Sequence, residues 1–203
     1  MMRVGVLASG TGSNFQALVQ AMDRPDAEAK VAVLVSNVAS APALQKARLL
    51  DVPAVLLEHG HWPTREAFDA AVADELLRHE VELVVLAGYM RLLSPTFLRA
   101  FPQRVVNVHP ALLPAFTGTH AVKQALDYGA KVTGCTVHFV DSGVDTGPII
   151  AQAAVPILET DDEASLSARI HAEEHRLLPR AVELIARGQV LLEGRCVRLL
   201  EKF

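Results

Sequence analysis

Cysteine is scarce in this 203-residue chain: only Cys135 and Cys196 occur, far apart. They match neither a disulfide framework nor a zinc spacing, which suits a reducing compartment such as the cytoplasm. Basic runs are missing too, and the formal net charge is −4. Nucleic acid and anionic membrane surfaces are therefore not the expected partners. An anionic ligand must be met locally, by a few placed arginines or backbone N–H groups. No apolar run approaches the roughly 18 residues of a membrane span. The amino-terminal "MMRVGVLASG" has one arginine and an apolar stretch too short for a signal peptide, interrupted by glycine. There is no repeat, linker or low-complexity segment. What is present, at 51% hydrophobic and 21% charged, is enough to bury a substantial core as one domain, 1–203.

The first half alternates short Val/Leu-rich runs with longer amphipathic ones. "RVGVLA" (3–8), "KVAVLVS" (30–36), "PAVLLE" (53–58), "ELVVLAG" (82–88) and "RVVNVH" (104–109) are continuously apolar rather than alternating. That is the pattern of strands buried on both faces, in a parallel sheet sandwiched by helices. Helices are expected at about 14–22, 40–50, 63–79 and 94–101, with Pro63 and Pro95 in first turns and Ser94 as an N-cap. The fold class is α/β, a doubly wound, mostly parallel sheet with ligands at the carboxyl ends of its strands. Beyond residue 119 the pattern changes. After a helix at 119–128, the runs 131–141 and 149–157 are expected to pair antiparallel and extend the sheet. A long helix (162–187) follows, opened by a capping box from Thr160 to Glu163 and bent at Pro179. A hairpin turning at Glu193-Gly194 closes the chain.

Four stretches carry polar residues in places that chemistry would use. In "SGTGSN" (9–14), a glycine turn feeds a helix, but Phe15 occupies the third glycine position of a dinucleotide fingerprint and no Walker A lysine follows. A helix N-terminus with Ser13 and Asn14 suits a phosphate monoester, while a tight turn with a serine cap is the plainer alternative. In "GYMRLLSP" (88–95), Met90, Leu92 and Leu93 form an apolar lip around Arg91, fit for an aromatic ligand bearing a carboxylate. "HFVDSGVDTGPII" (138–150) sets Asp141 and Asp145 among glycines without an EF-hand pattern. "VNVHPALLP" (106–114) ends a buried strand with Asn107 and His109 on alternate positions, so amide and imidazole emerge from one face. His59 with His61, and His171 with His175, have metal-like spacings but lack further ligands, so no metal is expected. Glu174 follows the apolar stripe Leu166, Ile170, Leu177, Ala181, where a charge must be paired or meet a ligand.

Taken in order, "SGTGSN", "GYMRLL", "NVHPALLPAFTG" and "DSGVDTGP" resemble the phosphoribosylglycinamide formyltransferase family over essentially the whole length. Ala111 and Thr117 depart from that pattern, where serine and proline are usual, at positions that are not catalytic. The resemblance implies a Rossmann-like formyltransferase fold with an antiparallel C-terminal extension. It also implies a phosphate-binding half at about 1–100 and a folate-binding, catalytic half at about 101–203. The implied reaction moves the formyl group of 10-formyltetrahydrofolate to the amine of 5-phosphoribosylglycinamide, in de novo purine (IMP) biosynthesis. Asn107, His109 and Asp145 are the implied catalytic residues. Gly12, Ser13, Asn14 and Glu174 are implied for the phosphorylated substrate. For the folate the implied residues are Arg65, Met90, Arg91, Leu92 and Leu93, then Asn107, Val140, Asp141, Val144 and Asp145. His120 is placed behind the site. No tightly bound cofactor or metal is implied. The partners are small molecules only, and the state a monomer or homodimer. The alternatives are a formyltetrahydrofolate hydrolase, another folate-dependent formyltransferase such as the one acting on initiator tRNA, or a non-catalytic nucleotide-binding module. The first and second are expected to carry extra N- or C-terminal domains, and the last has no use for Asn107, His109 and Asp145 together.

Overall fold

The structure, a computed structural model, describes residues 1–201. The last two positions of the expected 1–203 domain lie outside the described residues. The chain divides into two compact units, Met1–Val106 and Asn107–Phe203.

In the first unit strands and helices alternate: β1 (Met2–Leu7), α1 (Ser13–Met22), β2 (Ala29–Ser36), α2 (Pro42–Leu49), β3 (Ala54–Leu56), α3 (Arg65–Arg78), β4 (Leu83–Leu86) and α4 (Pro95–Ala100). β1 pairs in parallel with β2 on one side and β4 on the other, with Leu7 opposite Val35 and Leu86. Val4, Val6, Val33, Leu34, Val84 and Val85 are all buried, as expected of strands covered on both faces. The run 53–58 yields a shorter strand than expected. Only Ala54–Leu56 pairs with β2, both end residues are exposed, and the chain then enters a 3-10 turn at His59–His61. α3 begins later than expected, with Pro63 ahead of the helix rather than in its first turn, because Thr64 provides the cap, its hydroxyl accepting the Ala67 N–H at 3.1 Å. Ser94 caps α4 as expected.

β5 (Val105–His109) leads into the second unit, which comprises α5 (Ala121–Tyr128), β6 (Val132–Phe139), β7 (Ile149–Pro156), α6 (Glu163–Ala186), β8 (Val190–Glu193) and β9 (Cys196–Leu199). The seven-stranded, mostly parallel sheet has the order β3-β2-β1-β4-β5-β6-β7, and β6 and β7 pair antiparallel. β8 and β9 form the expected hairpin, with Gly194 at φ 62° in its turn. α6 lays Leu166, Ile170, Leu177, Leu178 and Ala181 into the core and contains Pro179. Its cap lies two residues beyond the expected Thr160. Asp162 accepts the Ser165 N–H at 2.7 Å and Ser165 Oγ accepts the Asp162 N–H at 3.0 Å. Asp161, in between, instead accepts the Leu158 N–H.

Candidate active site

In the second unit, the alternation along β5 puts Asn107 and His109 on one face, and Asp145 meets both. Asp145 Oδ2 lies 3.3 Å from His109 Nδ1, and Oδ1 lies 3.4 Å from Asn107 Nδ2. The same carboxylate accepts the Gly118 N–H at 2.8 Å. His109 is buried, and its other nitrogen, Nε2, sits 2.8 Å from the Phe116 carbonyl oxygen. Both partners of the ring are acceptors, and a neutral imidazole has one N–H to give. Only the imidazolium donates to both. The geometry is therefore that of a charged donor held from two sides.

The sequence reading missed a fourth member. His138 on β6 is buried, its Nδ1 2.8 Å from the Phe139 carbonyl oxygen and its Nε2 3.2 Å from Asn107 Nδ2. With Nδ1 donating to that carbonyl, Nε2 accepts from the Asn107 amide and fixes which way the amide faces. His138 Nε2 also lies 3.6 Å from Asp145 Oδ1, a contact longer than a full hydrogen bond. Burial pushes the Asp145 carboxyl up. The contact from His138, the Gly118 N–H and the charge of His109 outweigh it and hold the group below the usual carboxylate range. His138 escaped notice because it sits inside an apolar run that reads only as strand.

The loop that delivers Asp145 is folded by its own side chains. Asp141 Oδ1 accepts the Gly143 N–H at 3.0 Å and the Thr146 hydroxyl at 2.6 Å. Gly147 has no room for a side chain, since a Cβ there would come 1.7 Å from the Phe139 carbonyl oxygen. Asp145 itself holds φ at 54°, the left-handed region that asparagine and aspartate tolerate better than most residues. Val140 is half-buried and Val144 exposed beside them. His120 is an exposed, left-handed residue at the N-cap position of α5.

In the first unit, Gly12 rather than Ser13 takes the N-cap position of α1, at φ 70°, and no side chain caps the helix. A Cβ on Gly12 would also strike Ala43 at 2.7 Å, so space and backbone both require glycine. The first-turn N–H groups at Ser13 and Asn14 thus suit an anion. Ser9 braces the turn: its hydroxyl donates to Asn37 Oδ1 at 2.6 Å and accepts the Met90 N–H at 2.9 Å. Ser9 and Asn37 were not anticipated, although each is the first polar residue after an apolar strand.

Met90 and Leu92 are largely exposed, and Arg91 lays its guanidinium 5.0 Å from the Phe68 ring centroid. Arg91 Nε is buried without a hydrogen-bond partner among the described residues. Leu93 is half-buried, while Arg65 opens α3 and reaches Glu66 at 3.7 Å. Behind this segment, Asp69 is buried and its Oδ2 accepts the Ser94 N–H at 2.5 Å. The Tyr89 phenol is raised, by burial first and then by Asp69. Glu174 is 2% exposed and meets His171 Nδ1 at 2.8 Å, so the charge on the apolar stripe has a protein partner. Among the described residues no group of three or more His, Cys, Asp or Glu is arranged to hold a metal ion. Nor, among the described residues, is any helix long and apolar enough to cross a membrane.

The formyl transferase family model matches residues 2–182. The chain belongs to that family. Among its members, phosphoribosylglycinamide formyltransferase of Mycobacterium tuberculosis is 46% identical over 98% of this chain and 92% of its own. Glycinamide ribonucleotide transformylase 1 of Symbiobacterium toebii has a crystal structure that superimposes with a TM-score of 0.97 at 51% identity, covering 99% of this chain and 95% of that one. The trifunctional purine biosynthetic protein adenosine-3 of Drosophila melanogaster is 49% identical over 94% of this chain, which spans 14% of that protein's length.

Proposed function

We propose that the protein transfers the formyl group of 10-formyltetrahydrofolate to the amine of 5-phosphoribosylglycinamide, a step of de novo purine synthesis. The carrying observation is the doubly held His109 beside Asn107 and Asp145. Amine attack on the formyl carbon forms a C–N bond and a tetrahedral oxyanion. The bond to the folate nitrogen then breaks, and the proton lost by the amine goes to that nitrogen through a shared water. The oxyanion needs donors, which the imidazolium and the Asn107 amide supply. The formyl oxygen competes for the His109 N–H with the Phe116 carbonyl. Asp145, 3.3 Å from Nδ1, keeps the ring aimed.

The remaining assignments follow the same reading. Gly12, Ser13 and Asn14 take the phosphate and Glu174 the polar groups of the glycinamide ribonucleotide. Arg65, Met90, Arg91, Leu92 and Leu93, with Val140, Asp141 and Val144, take the folate. The chain acts as one formyltransferase domain in the cytoplasm, monomeric or homodimeric, on small molecules and without a metal. The test is formyl transfer by the purified protein, followed through the absorbance of released tetrahydrofolate, with glycinamide ribonucleotide, initiator tRNA or water alone as acceptor. Release that depends on the ribonucleotide supports the proposal. Release at the same rate without it means a hydrolase and overturns it.

A further inference from the structure

A carboxylate that meets a polar substrate works only if its own orientation is fixed beforehand. Glu174 faces the packed side of α6 at 2% exposure, where an unsupported charge is costly and a second rotamer would clash with the core. His171 supports it, three residues earlier on the same helix, its Nδ1 2.8 Å from Glu174 Oε2 and its side chain 49% exposed. The His175 ring stacks on His171, with centroids 6.3 Å apart and planes within 11°, so the imidazole is itself held in one orientation. One partner is thus buried, while the other is half-exposed to water.

We propose that His171 is a positioning residue for the phosphorylated substrate, fixing the Glu174 carboxylate that receives it and making that affinity depend on pH. The inference rests on the assignment of Glu174 to the glycinamide ribonucleotide. The imidazolium donates a charge-assisted hydrogen bond; the neutral ring donates a weaker one and leaves the carboxylate less constrained. Glu174 raises the basicity of His171 against the opposing effect of burial, so the charged form persists somewhat above the ordinary histidine range. The sign follows: the bond is strongest below that folded value and weakens as pH rises through it.

Apart from His175, stacked on the His171 ring, the groups around α6 do not supply the same dependence. On β6, burial first and then the Glu174 charge push the Cys135 thiol up to about 12, beyond neutral pH, while His138 belongs to the Asp145 cluster. β7 has no ionisable side chain. On α5, Lys123 pairs with Asp127 at 2.8 Å and Tyr128 is exposed. On α6 itself, Glu173 pairs with Arg176 at 2.6 Å.

The test compares the native protein with His171→Ala, His171→Asn and Glu174→Ala. The Michaelis constants for glycinamide ribonucleotide and for 10-formyltetrahydrofolate are measured between about pH 6 and 8.5, alongside thermal melts, a range bracketing the histidine value. Asparagine places an amide N–H where Nδ1 stood but does not titrate. His171→Ala is expected to raise the ribonucleotide constant roughly tenfold, the worth of one charge-assisted hydrogen bond, and to leave the folate constant nearly unchanged. His171→Asn should recover most of that loss and flatten the rise of the constant with pH seen in the native protein. If Glu174→Ala weakens the ribonucleotide but His171→Ala does not, the inference fails and the proposed reaction stands. Equal effects on both substrates in His171→Ala, or a native pH profile retained in His171→Asn, also overturn it. If Glu174→Ala leaves the ribonucleotide constant unchanged, the Glu174 assignment falls and takes the inference with it.

Discussion

The two units organise their polar residues by different physics. In the first, the polar groups just past β1 and β2 are neutral: Ser9, Asn37, Ser13 and the N–H groups of an uncapped helix, shaped by a left-handed Gly12. Their partial charges are fixed by the backbone and do not change with pH, which suits holding an ionised phosphate. In the second, two histidines and an amide surround one carboxylate within 3.6 Å, and that carboxylate is displaced from its ordinary range. Such groups exchange protons and stabilise charge that appears only during reaction. The contrast separates holding from transforming, and variants at these two sets of residues should separate turnover from affinity.

The largest effect belongs to the second unit. His109→Ala should lower turnover by on the order of a hundred- to a thousand-fold, as removal of one oxyanion donor typically does. Asp145→Asn acts on the same unit, so the double variant should be little worse than the poorer single in steady-state assays. Multiplicative losses would show that the two serve separate steps. Gly147→Ala comes next. Its Cβ meets the Phe139 carbonyl, so the loop must shift and carry Asp145 with it. A loss of roughly 1–3 kcal/mol in denaturant unfolding, with reduced turnover, is expected. Unchanged unfolding and turnover would mean that the loop accommodates the methyl.

The first unit should answer in affinity. Arg91→Ala should raise the Michaelis constant for the folate about tenfold through a lost charge-assisted contact. Ser13→Asp should raise that for the ribonucleotide, by roughly three- to tenfold, by placing a like charge at the helix terminus. Equal effects of either variant on both substrates would collapse the distinction between the units' roles. The smallest effect is on stability against pH. Asp145 is depressed in the folded protein, so its stabilisation is present above the unfolded carboxylate value and is lost as pH falls through the folded one. The denaturation midpoint of the native protein should therefore drop more steeply below about pH 4 than that of Asp145→Asn.

Much of the first unit was legible because strands buried on both faces write themselves as unbroken apolar runs. β3 was overestimated since an edge strand can be as apolar as a central one while pairing over only three residues. Helix starts were off by one or two residues at Thr64 and Asp162, where several capping candidates stand side by side and only geometry chooses among them. The meeting of Asn107, His109 and Asp145 was anticipated from spacing on a strand and from resemblance. His138 and Asp69 were not, because a polar residue within an apolar segment gives no hint of its partner 31 or 25 residues away. The pairing of Glu174 with His171 lay within reach of helical spacing, yet each had been weighed alone.

The left-handed backbone at Asp145 narrows what natural variation can do at this position. Asparagine and glycine enter that conformation at little cost, whereas glutamate and β-branched residues do not. Lineages that drift here are thus steered towards residues that keep the loop's shape while abandoning the charge. A chain carrying asparagine at 145 would keep its fold and look intact by every measure of architecture. Inactive copies of such a protein would be hidden from shape and betrayed by a single atom.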